Sequence, residues 1–407
     1  MTERIRVAQI VTRFMAGAGG VALRGALALD PDRYEVVFVI GSGDKLAQEA
    51  RAAGFEVVRV ERLRSQIALA DDRRARIELT DFLAAGKFDV VHTHSSKAGA
   101  LGRLAARRAD VQRIVHTYHG FPFHDFQSWP RRTAYQRIER SLGKITDAFL
   151  AVGPAVAAEA IRLRIAPPER VRTIGVAVTA GPAPDSSDRA EARRLLGIPP
   201  GMHVVGTVGR LDFQKAPDDF VTALSQLGRD DVYGVWIGDG PLRAETEKLA
   251  ARRGLAGRLA FVGERSDVSA LLPGLDVFAM ASRYEGLPCA IVEAMAAARP
   301  VVATAVNAVP NIVVAGETGL LVPAGRPELL SRAIRHLIDN PAMAARLGAA
   351  GRAQLGAELT PAALGAILDE TYLAPARAAR PVPVAPLEVA PLEVAPLEVA
   401  PLEVVGP

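Results

Sequence analysis

Residues 282–304 read SRYEGLPCAIVEAMAAARPVVAT. The stretch predicts loop, helix, turn and strand in that order. Pro288 suits the first helical position, where its missing N–H costs nothing, and Gly286 leaves room for close backbone approach. Ala290 to Ala298 is a strong helix former, with Ile291, Met295 and Ala298 spaced along one face. Arg299-Pro300 ends the helix, and Val301-Val302-Ala303 starts a buried strand. A helix feeding a short apolar strand is half of a parallel α/β unit, so the whole chain is expected to be α/β.

Two carboxylates lie eight residues apart in this stretch, Glu285 in the loop and Glu293 in the helix. At ~1.5 Å per residue they stand about 10–12 Å apart along the axis. Between them is a helix N-terminus, whose free N–H groups and dipole favour phosphate. The layout suits a nucleotide-diphosphate sugar, with sugar hydroxyls at Glu285, diphosphate over the N-terminus and ribose hydroxyls at Glu293. It equally fits an amphipathic helix with one solvated glutamate. Cys289, in the first turn of an anion-attracting helix, reads first as a small buried packing residue, with a lowered thiol pKa as the sharper alternative.

Upstream, His203–Val208 is a strand whose exit loop, Gly209-Arg210-Leu211-Asp212-Phe213-Gln214-Lys215, carries two cations able to neutralise a diphosphate. A surface ion pair with Asp212 or Asp218 is the plainer use for them. Val232–Ile237, Arg258–Glu264 and Leu275–Ala279 give further strands. The first half has the same grammar. Ile5–Val11 is a strand, Thr12–Gly20 a glycine-rich loop and Val21–Leu29 a helix, as in the first βα unit of a nucleotide-type fold. Strands and helices then alternate to Arg113–Tyr118, which argues for a parallel sheet with helices on both faces.

Five of the seven histidines lie between His92 and His124. Alternation puts His92 and His94 on one strand face, and turns His116 away from His119. His116 reads as structural, whereas His119, followed by Gly120 at a strand end, is the functional candidate. Ser96 reads as a helix cap and Lys97 could reach an acceptor or phosphate. No acidic or cysteine ligand is spaced to complete a metal site with these histidines. Asp30-Pro31-Asp32 is a turn.

The 407 residues leave room for two domains. One cysteine excludes a disulfide framework and a cysteine-based metal site. Met1–Arg6 carries charge and runs straight into a strand, unlike a signal peptide, and no apolar run approaches a membrane span. These features lead us to expect a cytoplasmic location. The net charge of +4 is unevenly spread: residues 1–180 hold 28 basic against 19 acidic side chains. Arginines cluster at Arg59–Arg76, Arg103–Arg113 and Arg131–Lys144. They suit solvated helix faces, or contact with an anionic membrane surface or acidic acceptor. No nucleic-acid motif accompanies them, so no nucleic-acid partner is expected.

The run from Glu285 to Glu293 resembles the E-x7-E motif of the family-4 glycosyltransferases, retaining enzymes with the two-domain GT-B fold. The resemblance covers roughly residues 5–370. Arg210 and Lys215 resemble the family's G-R-L…K, and His119-Gly120 its H-G beside the transferred sugar. It implies that Gly19 and Gly20 face the cleft near the donor diphosphate, that backbone around Gly263–Arg265 meets the nucleobase, and that Gly286 and Leu287 contact the donor. Residues 92–99 and 119–124 resemble members that build bacterial exopolysaccharides and glycolipids. The chain departs from the family at Ala22-Leu23-Arg24, where relatives often place an acid, and at Val306-Asn307-Ala308, where they often have glycines.

The implied architecture is two doubly wound Rossmann-like domains with the active site between them. The divisions are 1–180 (acceptor side), 181–358 (nucleotide-sugar side), a helix at 359–380 crossing back to the first domain, and a disordered tail at 381–407. In that tail Ala-Pro-Leu-Glu-Val repeats four times, and proline every fifth residue blocks helix and central strand alike. The implied function is transfer of a hexose, with retention, from a UDP- or GDP-sugar to a hydroxyl of a glycolipid, polysaccharide precursor or small molecule. No metal or cofactor is implied, and peripheral contact with the inner face of the plasma membrane is a further expectation. A nucleotide-sugar epimerase and a catalytically silent nucleotide-sugar-binding protein remain as rivals.

Overall fold

The computed structural model describes residues 4–15, 17–178 and 180–374; the APLEV tail lies outside them. The fold is set by strands that are apolar on both faces. β1 (Ile5–Arg13) is buried along most of its length, with Val7, Ala8, Ile10 and Val11 fully inaccessible. Such a run belongs at the centre of a parallel sheet, where helices cover both faces.

The first sheet adds β2 (Tyr34–Ser42), β3 (Glu56–Arg59), β4 (Val90–His94), β5 (Arg113–Tyr118), β6 (Ala148–Ala151) and β7 (Val171–Thr173). Its order is β3-β2-β1-β4-β5-β6-β7, and every pairing is parallel. The second sheet is built from β8 (His203–Val208), β9 (Val232–Ile237), β10 (Leu259–Phe261), β11 (Val277–Met280), β12 (Val301–Thr304) and β13 (Gly319–Val322). Its order, β10-β9-β8-β11-β12-β13, is again wholly parallel. In each sheet the chain reverses its winding between two central strands, β1 and β4 in the first, β8 and β11 in the second. Ligands of doubly wound sheets collect at such switch points, beyond the carboxyl ends of the strands. The segments beyond β4, β5, β8 and β11 hold nearly all the chemistry the sequence singles out.

The two halves meet there. A Cβ at Gly286 would lie 1.9 Å from the His119 carbonyl oxygen, so only glycine allows this contact. Above it, His124 stacks on Tyr284 at 4.3 Å and Phe126 meets Phe213 edge-on at 5.5 Å. The last helix, Pro361–Leu373, is capped by Thr360, whose hydroxyl accepts the Ala363 N–H. It packs on the helix Ala18–Leu27, with Leu364 and Leu368 against Gly25.

Several local expectations are corrected. Gly19 and Gly20 are buried in the first turn of the helix Ala18–Leu27 and are not in a loop. Gly17, at φ +79°, makes the turn instead, in a conformation that glycine adopts freely. Pro288 is the N-cap of the helix Cys289–Ala296, one position earlier than expected. Ser95 precedes the helix Ser96–Arg108, so Ser96 is its first residue and not its cap. Lys97 donates to both Asp72 oxygens at 2.6 Å and is held by that pair. Within the Arg103–Arg113 cluster, Arg103 is fully buried against Glu139 (2.8 Å) and Arg113 is 9% exposed, so neither is available to a surface.

Candidate active site

Glu285 is buried beyond the end of β11 and is held from four directions. Lys215 Nζ lies 2.5 Å from its Oε1, Ser282 Oγ donates at 2.6 Å, and Gln214 Nε2 donates to Oε2 at 3.2 Å. The Glu285 N–H donates to Asn307 Oδ1 at 2.9 Å. Asn307 has φ +43°, the left-handed region in which relatives' glycines would sit without strain. Asparagine tolerates that region better than most side chains, and here its amide also anchors the glutamate. Arg210 is ion-paired with Asp212, the plainer of its two expected uses. Asp212 also accepts the Lys215 N–H at 3.1 Å. The two cations are thus each matched to a carboxylate.

The helix Cys289–Ala296 begins without a side-chain cap. On it, Glu293 is half-buried, and among the described residues no hydrogen bond or ion pair reaches its carboxylate. Burial raises its pKa, and the charge of Arg24 partly offsets this. For Cys289 the alternative of a lowered thiol pKa is corrected: burial pushes the thiol up to about 11, with Glu293 adding repulsion.

The first sheet supplies a neutral network. Gln9 Nε2–H donates to the Tyr372 oxygen at 2.9 Å, and the Tyr372 and Thr117 hydroxyls bracket His92, each 2.6 Å from a ring nitrogen (Nδ1 and Nε2). Gln9 Oε1 can only accept, so His94 Nε2–H donates to it at 2.7 Å, and His94 Nδ1 accepts from His119 Nε2–H at 2.9 Å. With the Gln9 amide in this orientation the chain sets His119 as the Nε2–H tautomer, with a lone pair on Nδ1. Burial pushes His119 down to about 3, with Arg24 adding repulsion, and burial likewise pushes His92 down to about 3. His116 is bonded to Thr93 at 2.8 Å and packs on Tyr118.

His119, Gly286, Leu287, Glu285 and Lys215 thus converge where the halves meet; the Leu287 side chain closes on Gly153 of the first half. Gly263 stands apart beyond β10, at φ +73°, with its carbonyl accepting from Gly238. Arg265 is paired with Asp267 rather than held free. Sequence reasoning missed Arg24, Asn307, Gln214, Ser282, Gln9 and Tyr372. Arg24 stands where relatives often have an acid, and that departure was its only signal. Its Nε donates to the Val176 carbonyl at 3.1 Å, and its charge acts on His119, Cys289 and Glu293. Among the described residues no three His, Cys, Asp or Glu side chains group to hold a metal ion.

Two doubly wound parallel sheets that meet at their carboxyl ends define the GT-B class of transferase fold. Residues 188–354 match the family described as Glycosyl transferases group 1, and residues 15–179 match Glycosyltransferase Family 4. The chain belongs to the family-4 glycosyltransferases.

Among its relatives is the Escherichia coli UDP-Gal:alpha-D-GlcNAc-diphosphoundecaprenol alpha-1,3-galactosyltransferase, 33% identical over 250 residues, which are 59% of this chain and 64% of that one. A D-inositol 3-phosphate glycosyltransferase of Streptomyces griseus is 31% identical over 300 residues, 66% of this chain and 63% of that one. The chain thus spans a little under two thirds of these relatives' lengths. Anabaena HepE, solved with UDP and glucose, superposes at a TM-score of 0.79 and 20% identity, over 90% of this chain and 99% of HepE.

Proposed function

We propose that the chain transfers a hexose from a nucleotide-diphosphate sugar to an acceptor hydroxyl with retention of anomeric configuration. The observation that carries this reading is the Glu293 carboxylate, half-buried and without a hydrogen-bond or ion-pair partner among the described residues, on a helix with no side-chain N-cap. A carboxylate in that position is costly unless a ligand supplies donors, and the vicinal hydroxyls of a ribose do so. Diphosphate over the helix start would be met by free backbone N–H groups. Lys215 and Arg210 would then exchange their carboxylate partners for phosphate oxygens as charge builds on the leaving group.

Glu285, released in part from Lys215, would face the sugar as positive charge develops at the anomeric carbon. His119 Nδ1, a fixed acceptor, suits a sugar hydroxyl. Among the described residues no carboxylate is hydrogen-bonded to Glu285, and the proposed route is front-face attack, with the leaving phosphate taking the acceptor's proton. UDP is the favoured nucleotide, because HepE was solved with UDP-glucose and the E. coli relative's name gives UDP-Gal.

The acceptor is taken to be a glycolipid, a polysaccharide precursor or a small molecule. Peripheral membrane contact is part of the proposal. Ile67, Leu69 and Ile77 are exposed near Arg73 and Arg74, an arrangement that suits an anionic surface at ~1 kcal/mol per basic residue. Co-sedimentation with anionic vesicles at low salt, lost at high salt, is expected; no sedimentation at low salt would remove this part.

The reading is tested with a thermal-shift panel of UDP-, GDP-, ADP- and dTDP-sugars, followed by NMR of the anomeric product. A ligand at 100 times its Kd stabilises by about 2.7 kcal/mol. An inverted product would end the retaining assignment. Isomerised sugar formed from donor alone would point to an epimerase instead.

A further inference from the structure

A second cavity, of about 380 Å³, opens at the carboxyl ends of β1, β2 and β3. That volume is in the range of small-molecule sites, ~300–1,000 Å³. Its walls carry three guanidinium groups, Arg13 at the end of β1, Arg59 at the end of β3 and Arg64 in the loop beyond, against one carboxylate, Glu61. The wall is built by direct backbone packing: a Cβ on Gly41 of β2 would lie 1.8 Å from the Leu63 carbonyl oxygen.

The three arginines are not equally satisfied. Arg59 is paired with Asp44. The Nε of Arg64 donates to the Glu61 backbone carbonyl at 3.1 Å. Among the described residues the Arg13 guanidinium has only the Met15 sulfur, at 3.7 Å. Among the described residues neither Arg13 nor Arg64 has a carboxylate within ion-pair distance. Arg13 is half-buried, and both that burial and the charge of Arg210 across the seam oppose its charge, with Asp212 and Glu264 only partly compensating. A half-buried cation without a counter-ion is costly, and an anion entering the cavity would relieve that cost.

We propose that this cavity binds a phosphate or diphosphate group carried by the acceptor, held by Arg13 and Arg64 with Ser42 and Gln66 as hydrogen-bonding neighbours. The inference rests on the transferase reading and names the acceptor's class as anionic. The cavity shares no lining residue with the donor phosphate site proposed on Lys215, Arg210 and the helix Cys289–Ala296, although Arg13 faces Arg210 across the seam.

The test uses the full chain saturated with UDP, so that the donor site is filled, and titrates inorganic pyrophosphate by calorimetry. Pyrophosphate is expected to bind in the presence of UDP, and Arg13→Met and Arg64→Met are each expected to weaken it at least ten-fold. Arg64→Lys should recover part of the loss, while UDP affinity is unchanged in the Arg64 variants. Absence of pyrophosphate binding to the UDP-bound chain, or equal binding by the variants, overturns the proposal. Should UDP itself fail to bind, the donor reading falls, and pyrophosphate titrated alone still reads the cavity through the same variants. Farnesyl diphosphate and glucose 1-phosphate form the last arms: tighter binding of the first marks a lipid-borne phosphate, tighter binding of the second a soluble one.

Discussion

The two faces of the site solve the same problem with opposite chemistry. On the second sheet, Arg210, Lys215, Asp212 and Glu285 are all ionic, and each cation has a carboxylate beside it. On the first sheet side, Gln9, His92, His94, His119 and Tyr372 form a chain of neutral groups, and from Gln9 through His94 to His119 each hydrogen bond fixes the direction of the next. The ionic face could trade partners, because the diphosphate of the proposed donor would offer its cations what the carboxylates already supply. The neutral face cannot trade without leaving a buried polar atom unmatched, which costs about 1–3 kcal/mol. One face is therefore suited to a charge that moves during the reaction, the other to holding a hydroxyl still.

Acid should break the neutral face first and most severely. His92 and His119 are pushed down to about 3, well below the ~6.5 of an unfolded chain. The unfolded state then binds protons before the folded state does. Stability is fully present above about pH 6.5 and falls as pH drops toward 3. His94 and His116 are pushed down by the same burial, so the four histidines together should cost the fold several kcal/mol between pH 7 and pH 5. Urea denaturation at the two pH values measures this. A difference below about 1 kcal/mol would mean that the histidines are not held neutral.

The ionic face is probed through its two glutamates. Glu285→Gln should lower kcat by ~100-fold or more, corresponding to ~3 kcal/mol of stabilisation given only in the transition state. Nucleotide diphosphate without sugar should bind this variant almost normally. Glu293→Gln should act at a smaller scale and on a different constant, raising donor KM by ~10-fold with a lesser fall in kcat, because in the proposed role it would hold ribose equally in ground and transition states. Steady-state kinetics with a UDP-sugar separate the two. Equal behaviour of both variants, with equal UDP binding, would merge the assigned roles and leave the helix structural.

The mildest probe is Cys289, which lies between the faces. With its thiol near 11, iodoacetamide labelling at pH 8 should run at least ~10-fold slower than for a free cysteine. Labelling as fast as a free thiol would show that the helix start is more open, and its field stronger, than its burial implies.

What could be read from the sequence is what is local in the chain. The helix following Pro288, the strands at Arg113–Tyr118, His203–Val208 and Val232–Ile237, the shared face of His92 and His94 and the turning of His116 away from His119 all follow from periods of 3.6 or 2 within a few residues. The spacing of Glu285 and Glu293, and the cations after β8, are local in the same sense. Tertiary structure decided which charges meet and which lose their water. Glu285 finds Lys215 from 70 residues away, and Gln9 finds Tyr372 from 363 away. The Cys289 thiol goes up rather than down, and Arg103 leaves a basic surface cluster for a buried pair with Glu139. Periodicity is enforced by the backbone geometry of each segment alone. Pairing and burial depend on where distant segments pack, and no short window of sequence contains that information.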